Sequence, residues 1–132
     1  MNFVLKPEKI VSYNSYLHYN KRGHRYITKE GWIYKNYITN EVSKIMLEND
    51  WSIIIHKIKL DVVYKFKGFR RRDLDDADKP LWDILNKVLY DDDSQIFEHS
   101  CKKILGCKEN EIFISVSKYI DDDEEIMYVE FP

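Results

Sequence analysis

Residues 70–95 read RRRDLDDADKPLWDILNKVLYDDDSQ. Three arginines run into Asp73, Asp75, Asp76 and Asp78, and an amphipathic run then leads to Asp91, Asp92 and Asp93. Carboxylates at this density repel one another and destabilise a fold unless a cation sits among them. Mg²⁺ and Mn²⁺ prefer such oxygen donors, with waters or phosphate oxygens completing their shell. An Asp-x-Asp pair on an extended segment presents both side chains on one face. The two acidic clusters are therefore expected to converge on one divalent ion.

The formal charge of −2 hides a segregation. Residues 121–132 hold six acids and no base, and without them the balance is 21 basic to 17 acidic. Residues 57–72 carry Lys57, Lys59, Lys65, Lys67, Arg70, Arg71 and Arg72 against Asp61 alone. A basic strip beside an acidic pocket fits a surface that holds nucleic acid next to a metal. The bland alternative is an ordinary solvated face. No apolar run approaches the roughly 18 residues of a membrane helix. The start, MNFVLKPEKI, has no apolar core or small-residue cleavage site, so no signal peptide is expected. Cys101 and Cys107 give neither a disulfide framework nor a zinc CxxC, and reduced cytoplasmic thiols are expected.

The length fits one domain, expected over 1–120, with 121–132 as an acidic tail that is a frayed edge strand or disordered. The pattern predicts a short strand at 2–5, an ordered loop over 10–27 and a helix over 28–48 capped by Thr28. From Ile54 the period becomes two: His56, Ile58, Leu60, Val62, Tyr64 and Phe66 alternate with a mostly basic set. A second helix is expected over about 76–90, its stripe being Leu81, Ile84, Leu85, Val88 and Leu89. Asp75 or Asp76 would cap it, and Pro80 would lie in its first turn. Strands at 95–105 and 111–119 follow. The fold class expected is α+β, a small mixed β-sheet packed with two main helices.

Other chemistries fit poorly. The acidic clusters lack the Gly and Glu positions of an EF-hand loop. The four histidines show no ligand spacing, and His56 and His99 are expected in the core. No Gly-rich phosphate loop or nucleophilic triad is present. Lys79, four residues after Asp75, either makes a helix-capping salt bridge or stabilises charge on a scissile phosphate.

Arg-Arg-Asp-Leu-Asp-Asp-x-x-Lys, a helix carrying Asp83, and then Asp-Asp-Ser-Gln-Ile together resemble the RusA family of Holliday-junction resolvases. Ser12-Tyr13-Asn14, Tyr16, the basic loop with Lys21, Arg22 and Arg25, Thr28, Glu30-Gly31, Tyr34 and Lys103 extend the likeness over roughly residues 10–119. The resemblance implies a RusA-like homodimer, of a kind common in phages and prophages. Such a dimer cuts four-way DNA junctions symmetrically with Mg²⁺ or Mn²⁺, leaving 5′-phosphate and 3′-hydroxyl ends. By motif position Asp73, Asp75 and Asp93 match the catalytic acids, with Asp92 beside the last, and Lys79 matches the catalytic lysine. DNA contacts are then expected from Asn14, Lys21, Arg22, Arg25, Lys65, Lys67, Arg70, Arg71, Arg72 and Lys103. This chain departs from the family in having Asp76 where Asn is usual and an extra acid at Asp78. A shorter segment before Asp93 leaves Asp92 and Asp93 as alternatives. The acidic tail could cover the basic face. A junction-binding relative without chemistry, and a protein with a purely structural cation site, are the rival readings.

Overall fold

The computed structural model describes residues 1–120. Strand β1 (Asn2–Leu5) is followed by a single helical turn, α1 (Tyr13–Tyr16), and by a ribbon of β2 (Leu17–Tyr19) and β3 (Arg25–Ile27). Helix α2 (Lys29–Glu48), strand β4 (Ile58–Lys67) and helix α3 (Leu74–Leu85) come next. A 3-10 turn at Asp93–Gln95 leads into β5 (Ile96–Cys107) and β6 (Glu111–Lys118). The main sheet is mixed, in the order β1-β6-β4-β5, with β4 parallel to β5 and antiparallel to β6. This is the expected α+β class.

Alternation in β4 explains the layering. Ile58, Leu60, Val62, Tyr64 and Phe66 are buried, while the intervening residues are more exposed. The buried face forms one core with Ile38 and Val42 of α2 and with Leu81, Ile84 and Leu85 of α3. Full burial of each such aliphatic side chain stabilises by about 1.5–3 kcal/mol. Three stretches differ from the sequence reading. Strand β4 starts at Ile58; upstream, Ile54 makes only an isolated bridge to Tyr90, and the carbonyls of Ile54 and His56 both accept from the Gln95 amide. His56, expected in the core, is exposed. The 10–27 loop is a turn of helix and a ribbon, reversed at Gly23 with φ 79°. The C-terminal reading, the acidic tail at 121–132, lies outside the described residues.

Helix α3 starts earlier and ends sooner than the 76–90 expected. Asp73, in extended backbone, is its N-cap position, so Asp75 and Asp76 fall in the first turn, where acids suit the helix dipole. Pro80 therefore sits in the second turn, where its missing N–H leaves the Asp76 carbonyl without the usual donor. Lys87 takes a left-handed φ of 67° and breaks the helix. The apolar stripe still runs on, because Val88 and Leu89 donate to the Leu85 carbonyl across the turn and Leu89 is fully buried.

Helix α2 is tied to the ribbon at its start. The Thr28 hydroxyl donates to the Ser15 carbonyl and accepts from the Gly31 N–H. A Cβ on Gly31 would lie 2.7 Å from the Tyr16 carbonyl oxygen. Gly31→Ala is therefore expected to lower stability by about 1–3 kcal/mol, since backbone cannot yield as a flexible side chain can. Urea unfolding followed by far-ultraviolet circular dichroism measures this.

Candidate active site

Helical spacing places Asp75, Lys79 and Asp83 at i, i+4 and i+8, on one face of α3. The 3-10 turn brings Asp93 to the same place from the far side of the sequence. These four residues, with Tyr13, Arg25, Asp78 and Trp82, line one cavity of about 410 Å³. Asp75 of the first acidic cluster and Asp93 of the second thus line one cavity. Burial and then the charge of Asp93 push the Asp83 carboxyl above the usual carboxylate range, with Arg25 and Lys35 opposing. Carboxylates from both clusters line the cavity, and carboxylate oxygens are the donors a hard divalent cation takes.

The structure separates Asp92 from Asp93. Asp92 caps the 3-10 turn: its carboxylate accepts from the Ser94 N–H at 3.1 Å, and its own N–H donates to Gln95 Oε1 at 2.7 Å. The Ser94 hydroxyl and N–H hold the exposed Asp92 carboxyl below its ordinary value. Asp93 is the one that enters the cavity.

Asp73 is placed differently from Asp75. The period-two argument requires both on extended backbone, but α3 begins at Leu74 and turns Asp75 away. Asp73 and Asp76 line a smaller neighbouring cavity of about 170 Å³ with Arg70, Arg71 and Arg72. The Asp73 carboxylate makes no capping hydrogen bond, so it is not committed to the helix end. Lys79 makes no capping bridge to Asp75: its ammonium lies 5.1 Å from the centroid of the Tyr13 ring. Tyr13, Trp82 and Asp83 were not singled out as site residues from sequence. For Asp83 a signal existed, four residues beyond Lys79 on the same helical face.

The basic residues divide between two faces. Arg25 lines the acidic cavity and, with Lys35 and Asp83, a groove of about 830 Å³ along the ribbon. Lys21 and Arg22 lie at the exposed ribbon tip, and Asn14 is exposed on α1. Lys103 Nζ donates to the Arg72 carbonyl at 2.5 Å, which joins β5 to the arginine segment. The Arg72 guanidinium stands 5.2 Å over the Phe66 ring. Lys65 and Lys67 belong to the other face of β4, where the Lys65 ammonium lies 4.8 Å over Phe113. The structure does not bring these two to the cavity.

On the inner wall of the cavity, Asp78 is 9 % exposed and accepts a hydrogen bond from the Tyr64 hydroxyl. Its other oxygen lies 2.5 Å from His99 Nε2, and His99 Nδ1 lies 2.9 Å from the Leu60 carbonyl. Burial pulls the His99 pKa down, but the hydrogen bond and charge of Asp78 outweigh it and leave it raised. His99 was expected among core apolar residues. Instead it forms a polar tie between β5 and α3, its ring edge-on to Trp82 at 4.9 Å.

Among the described residues no helix is long and apolar enough to cross a membrane. The family model for Endodeoxyribonuclease RusA matches residues 7–117. The Crossover junction endodeoxyribonuclease RusA of Shigella sonnei (strain Ss046) is 27% identical over 108 residues, covering 81% of this chain and 87% of that protein. A shared cavity of acids and a lysine, beside exposed arginines, thus coincides with a match over most of the chain, and the protein belongs to the RusA family of endodeoxyribonucleases.

Proposed function

We propose that this protein is a divalent-metal-dependent endonuclease that resolves four-way DNA junctions by paired, symmetric phosphodiester hydrolysis. The observation that carries this reading is the convergence of Asp75, Lys79, Asp83 and Asp93 in one cavity flanked by Arg25. Asp75 and Asp93 would hold Mg²⁺ or Mn²⁺, with Asp83 adding negative potential and Asp73, whose carboxylate makes no capping bond, as a further candidate ligand. The ion, when bound, lowers the pKa of a water and offsets charge on the phosphate.

The chain's own groups do the rest. Lys79, held over Tyr13, faces the cavity and stabilises the charge that grows on the non-bridging phosphate oxygens. Arg25 and the Arg70–Arg72 run hold the flanking backbone by charge and carry no sequence information. Water oxygen bonds to phosphorus, the bond from phosphorus to the 3′ oxygen breaks, and a proton passes to that leaving oxygen. The products carry 5′-phosphate and 3′-hydroxyl ends. A two-fold homodimer would present two such cavities to a junction of like symmetry. Action inside the cytoplasm, where junctions arise, belongs to the same reading.

One observation favours a second reading. Asp73 lines the arginine cavity, not the acidic one, as would suit a branched-DNA-binding module without chemistry. A synthetic four-way junction, run on native and denaturing gels with and without Mn²⁺, separates the two. Paired nicks on opposing strands support the nuclease; a retarded junction without nicks in Mg²⁺ or Mn²⁺ overturns it.

Arg25 allows a finer test of the DNA path. Arg25→Ala is expected to weaken junction binding severalfold and to flatten the plot of log affinity against log salt by about one unit. Lys65→Ala, on the far face, is expected to leave both unchanged. Fluorescence anisotropy across a salt series measures both variants.

A further inference from the structure

We propose that Asp78, His99 and Cys101 form a second metal site, for a borderline-soft cation of the Zn²⁺ class, that meets the carboxylate cavity only at Asp78. One ligand atom from each of the three residues lies within 4.8 Å of the others. His99 and Cys101 are two apart on β5 and so share a face, while Asp78 meets them from α3. Carboxylate, imidazole and thiol together are a poor set for Mg²⁺, which takes oxygen. They are a good set for tetrahedral Zn²⁺, with a fourth position left for water.

The surroundings orient the donors as metal sites require. The Leu60 carbonyl can only accept, so His99 Nδ1 carries the proton facing it; Nε2 shares a second proton with Asp78, and loss of that proton frees its lone pair for a metal. The Tyr64 hydroxyl holds one Asp78 oxygen and leaves the other toward His99 and Cys101. Thus both a histidine and a carboxylate ligand have their outer hydrogen bonds already in place. Bond lengths of about 2.0–2.3 Å would require Asp78 and His99 to part from 2.5 Å to roughly 3.3 Å. Binding expels the Cys101 thiol proton and the proton shared by Asp78 and His99; no electron is transferred. The bound ion would clasp α3, which carries Asp75 and Lys79, to the edge strand β5.

The test is a Co²⁺ titration of the metal-free full chain, with an excess of Mg²⁺ to occupy the carboxylate cavity. The expected result is a thiolate-to-cobalt charge-transfer band at one equivalent, with tetrahedral visible bands, that Zn²⁺ abolishes. Cys107→Ser and Asp75→Asn keep the band, and Cys101→Ser loses it. Should Cys101→Ser fail to fold, wild-type protein decides: Zn²⁺ should slow alkylation of Cys101, but not of Cys107, at least tenfold by peptide mass spectrometry. No thiolate band in wild type, a band that survives in Cys101→Ser, or alkylation of Cys101 indifferent to Zn²⁺ each overturns the site. Nuclease activity enters none of these readouts, so the failure of one proposal leaves the other standing.

Discussion

Asp75→Asn is expected to bind a four-way junction as tightly as wild type while cleaving it at least about 10³-fold more slowly in saturating Mg²⁺ or Mn²⁺. The change is nearly isosteric and sits on the exposed face of the first turn of α3, so the core stripe is untouched. It removes one negative charge from a cavity that already contains Asp78, Asp83 and Asp93. Phosphate approach therefore becomes no harder, and binding is kept. Chemistry fails because an amide oxygen is a weaker donor to a divalent ion and does not cancel its charge. Single-turnover cleavage of an end-labelled junction, with binding measured in parallel in Ca²⁺, gives both numbers. Cleavage within tenfold of wild type would remove Asp75 from the metal site.

The second large effect is a contrast between adjacent residues. Asp93→Asn should slow cleavage at least about 10²-fold, whereas Asp92→Asn should leave it within about threefold. The reason is the 3-10 turn. Asp92 points back to cap it through the Ser94 N–H, while Asp93 faces Asp83. Asn is itself a good cap, so Asp92→Asn should shift the melting temperature only slightly. The same single-turnover assay ranks the two, and the reverse order would mean that Asp92 holds the ion.

Much of this geometry was legible in the chain. Period-two burial in β4 and the Thr28 cap of α2 follow directly from residue pattern. The boundary of α3 was not legible, because Leu89 continues the helical apolar period across a turn set by the left-handed Lys87. The start of α3 was not legible either, since Asp73, Asp75 and Asp76 are all acceptable caps by residue type. With Asp75 read as a possible cap, Asp73 and Asp75 were placed on one extended face, whereas the structure divides them between two cavities. The role of His99 was also hidden. Its apolar strand neighbours predict burial, but its partner Asp78 lies on another element, and single-sequence spacing carries no signal for that. Lys65 and Lys67 show the same limit: charge along a strand is visible, but which face meets the cavity depends on where the helices dock.

The parallel pairing of β4 with β5 has a consequence for how the protein comes into being. A parallel pair needs a long crossover before any rung can form, and loop closure of this kind delays folding. The crossover here is α3 itself, with the acids at its start and the turn that follows. Collapsing those acids together is opposed by their repulsion until the sheet holds them. A cavity lined from both ends of that crossover is thus complete only once β4 and β5 have paired, so a chain still lacking those rungs lacks the assembled site.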